Sequence, residues 1–185
     1  MFELIPQPIR LTYQDFCALP DDGRRYEILD GDLYMSPAPV TLHQIAVTTL
    51  SRRLGNFVES ERLGVVLVAP TDVVLSQNDV VEPDILFVSQ ARRSILTSKN
   101  IQGAPDLVIE VISPSTVERD TRDKRNLYAR CGVPFYWIVD PDRRSVLELQ
   151  LVGSAYAPVA ELASPATFKP TLFPGLAIEL ESLWD

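Results

Sequence analysis

The sequence predicts an α/β fold in which a mixed central β-sheet is flanked by helices. Three observations lead there. Apolar runs of strand length recur from GVVLVAP to RRSVLELQLV, one amphipathic stretch of twenty residues precedes them, and strand, helix and strand follow one another over 106–112, 117–131 and 134–140. With 185 residues, 46% of them hydrophobic, the chain fits a single domain over 1–185, in which 1–25 is an N-terminal lead-in and 150–185 a β-rich C-terminal extension.

In the lead-in, Thr12 precedes YQDFCALP, a short helix capped at Thr12 and stopped by Pro20. YEILDGDLYM holds two strand-like runs about Asp30-Gly31, a two-residue hairpin signal. After the SPAP break, TLHQIAVTTLSRRLGNFVES reads as the first long helix, with residues 43, 47, 50, 54 and 57 on its apolar face. GVVLVAP, TDVVLS and DILFVS read as strands, and 89–104 as a polar, partly basic connection with a helical turn. PDLVIEVIS is the most strand-like segment in the chain. SPSTVERDTRDKRNLYARCG has a Ser/Thr start and a Gly stop, which predicts a helix over 117–131. VPFYWIVDP is the next strand, and RRSVLELQLV and the segments up to LFPGLAIELESLW read as further strands.

Composition excludes several classes. No apolar run approaches the roughly 18 residues of a membrane span, so no membrane partner is expected. The opening MFELIPQPIR lacks the basic and apolar regions of a secretory signal. Two cysteines, Cys17 and Cys131, with one histidine are too few for a disulfide framework or a structural zinc site, and point to a reducing cytoplasm. Seventeen basic against twenty-five acidic residues leave a net charge of −8 and a pI near 4.7, so nucleic acid cannot be met by a uniformly basic surface. The charge is nevertheless uneven. Arg92, Arg93 and Lys99 stand in 91–99 without an acid, 117–130 carries five bases against three acids, and acids gather at 72–84 and in the C-terminal stretch.

Three residues suggest chemistry. Glu110 interrupts LVIEVI; alternation places it with Val108 and Ile112, while Leu107, Ile109 and Val111 line the other face. Both faces are apolar, so the strand is expected to be covered on both sides, where an unpaired carboxylate costs several kcal/mol (about that order). Asp84 opens DILFVS directly after Pro83, and alone would be a common turn residue. Two carboxylates on neighbouring strands, however, suit Mg²⁺, which takes oxygen ligands and keeps several waters. On the 117–131 helix, Val117, Asp120, Thr121, Lys124, Leu127, Tyr128 and Cys131 share one face, which turns Lys124 inward, one turn from Asp120. Arg119, Arg122, Asp123, Arg125 and Arg130 fall elsewhere, in solvated or phosphate-facing positions. Two carboxylates for a cation and an ammonium to orient water and offset charge on a phosphorane-like transition state make a set for metal-assisted phosphodiester hydrolysis.

Taken in order, EPDILFV, DLVIEVISPST and RDTRDKRNLYARCGVPFYWIVDP resemble the Uma-two family of restriction-endonuclease-like proteins, within the PD-(D/E)XK nuclease superfamily. The resemblance runs from about Tyr26 to about Asp142 and implies a restriction-endonuclease-like mixed sheet flanked by helices. It puts Asp84 at the motif's first Asp and Glu110 at its second acid. The motif's Lys would stand two residues after Glu110, where Ile112 is found; the resemblance implies its migration to the following helix, as Lys124. It further matches Glu27 to a Glu before the hairpin and His43 to a His opening the first long helix. Glu27 reads equally as an extra metal or water ligand and as an exposed edge-strand acid. His43, beside Val47, Leu50 and Leu54, reads more simply as a packing residue, as do Tyr128, Tyr136 and Trp137.

The expected function is therefore a Mg²⁺-dependent endonuclease, with Mn²⁺ as substitute, acting on DNA as a homodimer. Asp84 and Glu110 would bind metal, Lys124 would position water, and Glu27 and His43 would complete the site. Arg92, Arg93, Lys99, Arg122 and Arg125 are candidates for the phosphate backbone. A catalytically silent nuclease-fold binding or regulatory module is the alternative, suggested by the charge of −8 and the absence of an appended DNA-recognition domain. A phosphohydrolase of small esters ranks below both, since the chain shows no nucleophilic Asp in a recognisable setting and no Gly-rich phosphate loop.

Overall fold

The apolar runs become thirteen strands in a computed structural model that describes residues 9–36 and 38–185. Residues 1–8 of the lead-in and Pro37 of the SPAP break lie outside the described residues. Thr12 caps α1 (Tyr13–Phe16), and Asp15 returns the bond to the Thr12 N–H at 2.8 Å. This helix is a single turn, shorter than the run to Pro20 that the sequence predicts. The hairpin joins β1 (Arg25–Leu29) to β2 (Asp32–Ser36) through Asp30 and Gly31, whose φ values of 52° and 83° are those of a type I′ turn. Glycine is required at the second position, because a Cβ on Gly31 would stand 2.6 Å from that of Arg10.

The long helix is α2 (Thr41–Ser60), which buries His43, Ala46, Leu50, Leu54 and Val58 along one stripe. There follow β3 (Gly64–Val68), β4 (Val73–Ser76), β5 (Asp79–Val81), β6 (Ile85–Ser89), a 3₁₀ segment (Gln90–Ile95), β7 (Ile101–Gln102) and β8 (Leu107–Val111). A π-helical segment (Arg119–Lys124) then runs into α3 (Arg125–Arg130), and β9 (Phe135–Asp140), β10 (Ser145–Val152), β11 (Ala155–Ala163), β12 (Thr167–Phe168) and β13 (Ile178–Glu179) complete the strands. No helix among the described residues is long and apolar enough to cross a membrane.

The strands divide between a six-stranded sheet, ordered β11-β10-β9-β8-β6-β3, and a five-stranded sheet, ordered β2-β1-β5-β4-β7, with β12 and β13 paired apart. The six-stranded sheet is mixed: β8 and β9 are parallel, joined by the helical crossover that the sequence predicts, and its other pairs are antiparallel. One face packs Ile85, Phe87, Leu107, Ile109 and Val111 against the apolar stripe of α2 and the C-terminal segment. The other packs Val108, Ile112, Tyr136 and Ile138 against Leu127, Tyr128 and the five-stranded sheet. Strand β8 thus stands between two cores, as its two apolar faces require, and each large side chain it buries contributes roughly 1.5–3 kcal/mol. The outer face of the five-stranded sheet is closed by Tyr13 and Phe16 of α1 over Ile28, Val74 and Val80.

Candidate active site

Alternation along β8 sends Glu110 into the second core, where it is 3% exposed. Its Oε1 accepts hydrogen bonds from Lys124 Nζ at 3.0 Å and from the Tyr128 hydroxyl at 2.7 Å. Lys124 arrives from the π-helical segment, whose wider turn holds Asp120 and Lys124 together on the buried side, each 3% exposed. Its ammonium lies 2.7 Å from Glu27 Oε1 and 3.8 Å from Asp120 Oδ1 as well. Glu27 comes from β1, a strand with β2 on one side and β5 on the other, so it is an interior residue and not an edge acid. Its Oε1 also accepts the Glu82 backbone N–H at 3.0 Å, while its Oε2 is buried without a hydrogen bond, 4.0 Å from an Arg119 nitrogen.

One ammonium therefore faces three buried carboxylates. Burial pushes the Glu110 carboxyl up to about 8, more than the Lys124 charge pulls it down, and the neighbouring acids add to the rise. Burial likewise raises Asp120 in spite of Lys124. For Lys124 itself burial opposes the charge, but Glu110, Glu27 and Asp120 outweigh it and hold the ammonium above its ordinary value. Burial, first of all, keeps the Tyr128 hydroxyl protonated, and hence a donor.

Asp84 stands just ahead of β6, which pairs with β8. Its Oδ2 accepts the Val111 N–H at 2.9 Å and lies 3.1 Å from His43 Nε2; its Oδ1 is 3.7 Å from Arg25. Burial works to raise this carboxyl, but the His43 ring, the Val111 N–H and the Lys124 charge leave it below its ordinary value. An ionised Asp84 only accepts, so His43 Nε2 carries the donated proton. His43 is in this position because the first turn of α2 packs over the strand ends.

Asp84, Glu110, Lys124 and His43 line one cleft of about 300 Å³, together with Glu82, Asp120, Arg25, Arg119 and the Ser113–Thr116 loop. Glu27 meets this cleft through Lys124. All five site residues read from the sequence are thus in one neighbourhood. Three of the cleft's residues escaped that reading. Arg25 clamps Glu82, with Nε 2.9 Å from Oε2 and a second bond of 2.7 Å to the Glu82 carbonyl. Both stand at strand ends, where polar residues carry no signal. Arg119, read as solvated, is folded inward: it donates to Ser36 Oγ at 3.1 Å and lies 5.6 Å from the Tyr34 ring centre. Val117, read as inward, precedes the π segment and is 40% exposed. Of the surface candidates, Arg92 is paired with Asp106 and Arg122 with Glu118 and Asp123.

The carboxylates of Asp84 and Glu110 supply hard oxygen donors on one wall. No three acidic, His or Cys groups among the described residues stand together as an ion site. A pair of carboxylates completed by waters is the habit of Mg²⁺, and Glu110, raised to about 8 by burial and by the neighbouring acids, fits a cation alongside.

A mixed sheet with helices packed on it, carrying acids at the ends of adjacent strands and a lysine from the next helix, defines a restriction-endonuclease-like protein. Residues 13–181 match the Uma2 family, described as "Putative restriction endonuclease", and the chain belongs to that family. A crystal structure of "a putative nuclease belonging to DUF820" from Anabaena variabilis ATCC 29413 superposes with a TM-score of 0.78 over 94% of this chain and 97% of that one, at 19% identity, a likeness of fold. No curated protein matches the chain.

Proposed function

We propose that this protein is a Mg²⁺-dependent endonuclease that hydrolyses DNA phosphodiester bonds, with Mn²⁺ as a substitute ion. The observation that carries this reading is the meeting of Asp84, Glu110 and Lys124 on one cleft. Asp84 and Glu110 would hold the ion, which when bound supplies Lewis acidity and a more acidic water. Lys124, kept charged by its carboxylate neighbours, orients the attacking water and offsets negative charge developing on the phosphate. Glu27 holds the Lys124 ammonium at 2.7 Å, and His43 fixes Asp84 Oδ2, while Oδ1 lies 3.7 Å from Arg25. Arg25 and Arg119 line the cleft, where guanidinium groups suit phosphate oxygens. Cutting both strands of a duplex favours a two-fold homodimer. The free cysteines, Cys17 and Cys131, suit the cytoplasm.

The test is incubation of plasmid with Mg²⁺ or Mn²⁺, comparing the wild type with Asp84→Asn and Lys124→Gln after melting curves establish that both are folded. Nicking by the wild type and its loss in both variants is the expected result; cleavage that persists in both removes the assignment. The alternative of a silent nuclease-fold module draws on the net charge of −8 and on the full engagement of Lys124 by acids. Calorimetric titration separates the two: heat from Mg²⁺ that Asp84→Asn abolishes favours the enzyme, and no heat up to millimolar ion favours the module.

A further inference from the structure

A second groove, away from the cleft, gathers three guanidinium groups from three separate elements. Arg52 on α2, Arg62 in the turn after it and Arg93 in the 3₁₀ segment after β6 line a trough of about 800 Å³ floored by Gly55, Gly64 and Val66. All three arginines are exposed. None is among the ion pairs of the described residues, and Arg93 makes only a long bond, 3.3 Å, to the Gln90 side chain. Glu59 is the one acid in the lining. Another basic trough is lined by Arg122, Arg125 and Arg130. There Arg122 is neutralised by Glu118 at 2.6 Å and Asp123 at 2.9 Å, and Arg130 by Asp30 at 2.8 Å and Asp79 at 3.4 Å. In a chain of net charge −8, the first trough is thus an uncompensated positive patch, of the kind that draws an extended anion.

Its position relative to the cleft is set by two rods. Helix α2 touches Asp84 through His43 at its first turn and reaches the trough through Glu59 at its last, roughly 24 Å on at 1.5 Å per residue. Strand β6 spans the same interval from Asp84 to Gln90, about 20 Å. Along duplex DNA this is about six base pairs at 3.4 Å each. We propose that the trough is a sequence-independent anchor for the phosphate backbone of a nucleic-acid duplex. Arg52, Arg62 and Arg93 meet phosphates about six base pairs from the one seated in the cleft. The shared duplex rests on the nuclease reading; the anchor itself does not.

The experiment measures binding of a fluorescently labelled DNA duplex of about two helical turns by anisotropy, in EDTA, across a series of salt concentrations. The proteins are the wild type, the triple variant Arg52→Gln/Arg62→Gln/Arg93→Gln and a control triple variant Arg122→Gln/Arg125→Gln/Arg130→Gln with the same loss of charge. The anchor predicts that the first triple variant flattens the slope of log K against log salt by about 2 to 3, each phosphate contact carrying about 0.9. The control triple is expected to change it far less. An equal effect of both triple variants, an unaltered slope, no DNA binding by the wild type, or tighter binding of polyglutamate than of DNA each overturns the proposal. Binding through these arginines by a wild type that never cuts sinks the nuclease and keeps the anchor. Cutting with an unaltered slope does the reverse.

Discussion

Glu110 retains its proton in the folded chain up to about pH 8, where an ordinary glutamate gives it up near 4.5. Between those values the folded state binds more protons than the unfolded one, so the contribution of Glu110 to stability falls as pH rises through the window. In cation-free buffer the melting temperature is expected to fall from pH 5 to pH 8, and Glu110→Gln to flatten that decline; thermal melts at several pH values check it. Lys124 is the counterweight to Glu27, Glu110 and Asp120, and removing one partner of such a buried set is expensive. Lys124→Met is expected to destabilise the fold by about 3–5 kcal/mol, measured by urea denaturation. Glu110 and Lys124 were legible because each is a charge set among apolar neighbours of known period, and Asp84 only through its match with Glu110 on a second apolar strand. Arg25, Glu82 and Arg119 were not, because they flank elements, where charged residues are common, and only the closure of β1 over the strand ends brings them inward.

At the level of elements, local chemistry served where it is strong. The Asp30-Gly31 turn, the stripe of α2 and the crossover from β8 to β9 all follow from spacing. The division into two sheets does not, since β5 and β7, three and two residues long, carry too few positions to show a period. The π-helical segment was also hidden, because its residues suit an ordinary helix, and the wider turn answers to the buried acids that Lys124 must reach. Helix α2 bears on both sites, with His43 at the cleft and Arg52 and Glu59 at the basic trough, and Leu54 at 0% exposure seats it on the sheet. Leu54→Ala is expected to cost about 2–5 kcal/mol in chemical denaturation, by the lost transfer energy and the cavity left behind.

For the molecule as a whole, the placement of β8 between two cores couples its carboxylate to global stability. An ion held by Asp84 and Glu110 binds the folded chain alone, so Mg²⁺ is expected to raise the melting temperature, more so at pH 8 than at pH 6 where Glu110 keeps its proton, and Asp84→Asn to abolish the rise. Net charge was legible from composition, but the trough was not, since Arg93 joins Arg52 and Arg62 only through the packing of α2 beside β3 and β6. The acid and ammonium cluster has a temporal side as well. Its members enter the chain at Glu27, Glu110, Asp120 and Lys124, and the Lys124–Glu110 contact spans fourteen residues. A nascent polypeptide still short of Lys124 holds Glu27 and Glu110 without the ammonium that pairs with both, so the cluster closes only once residue 124 has been made.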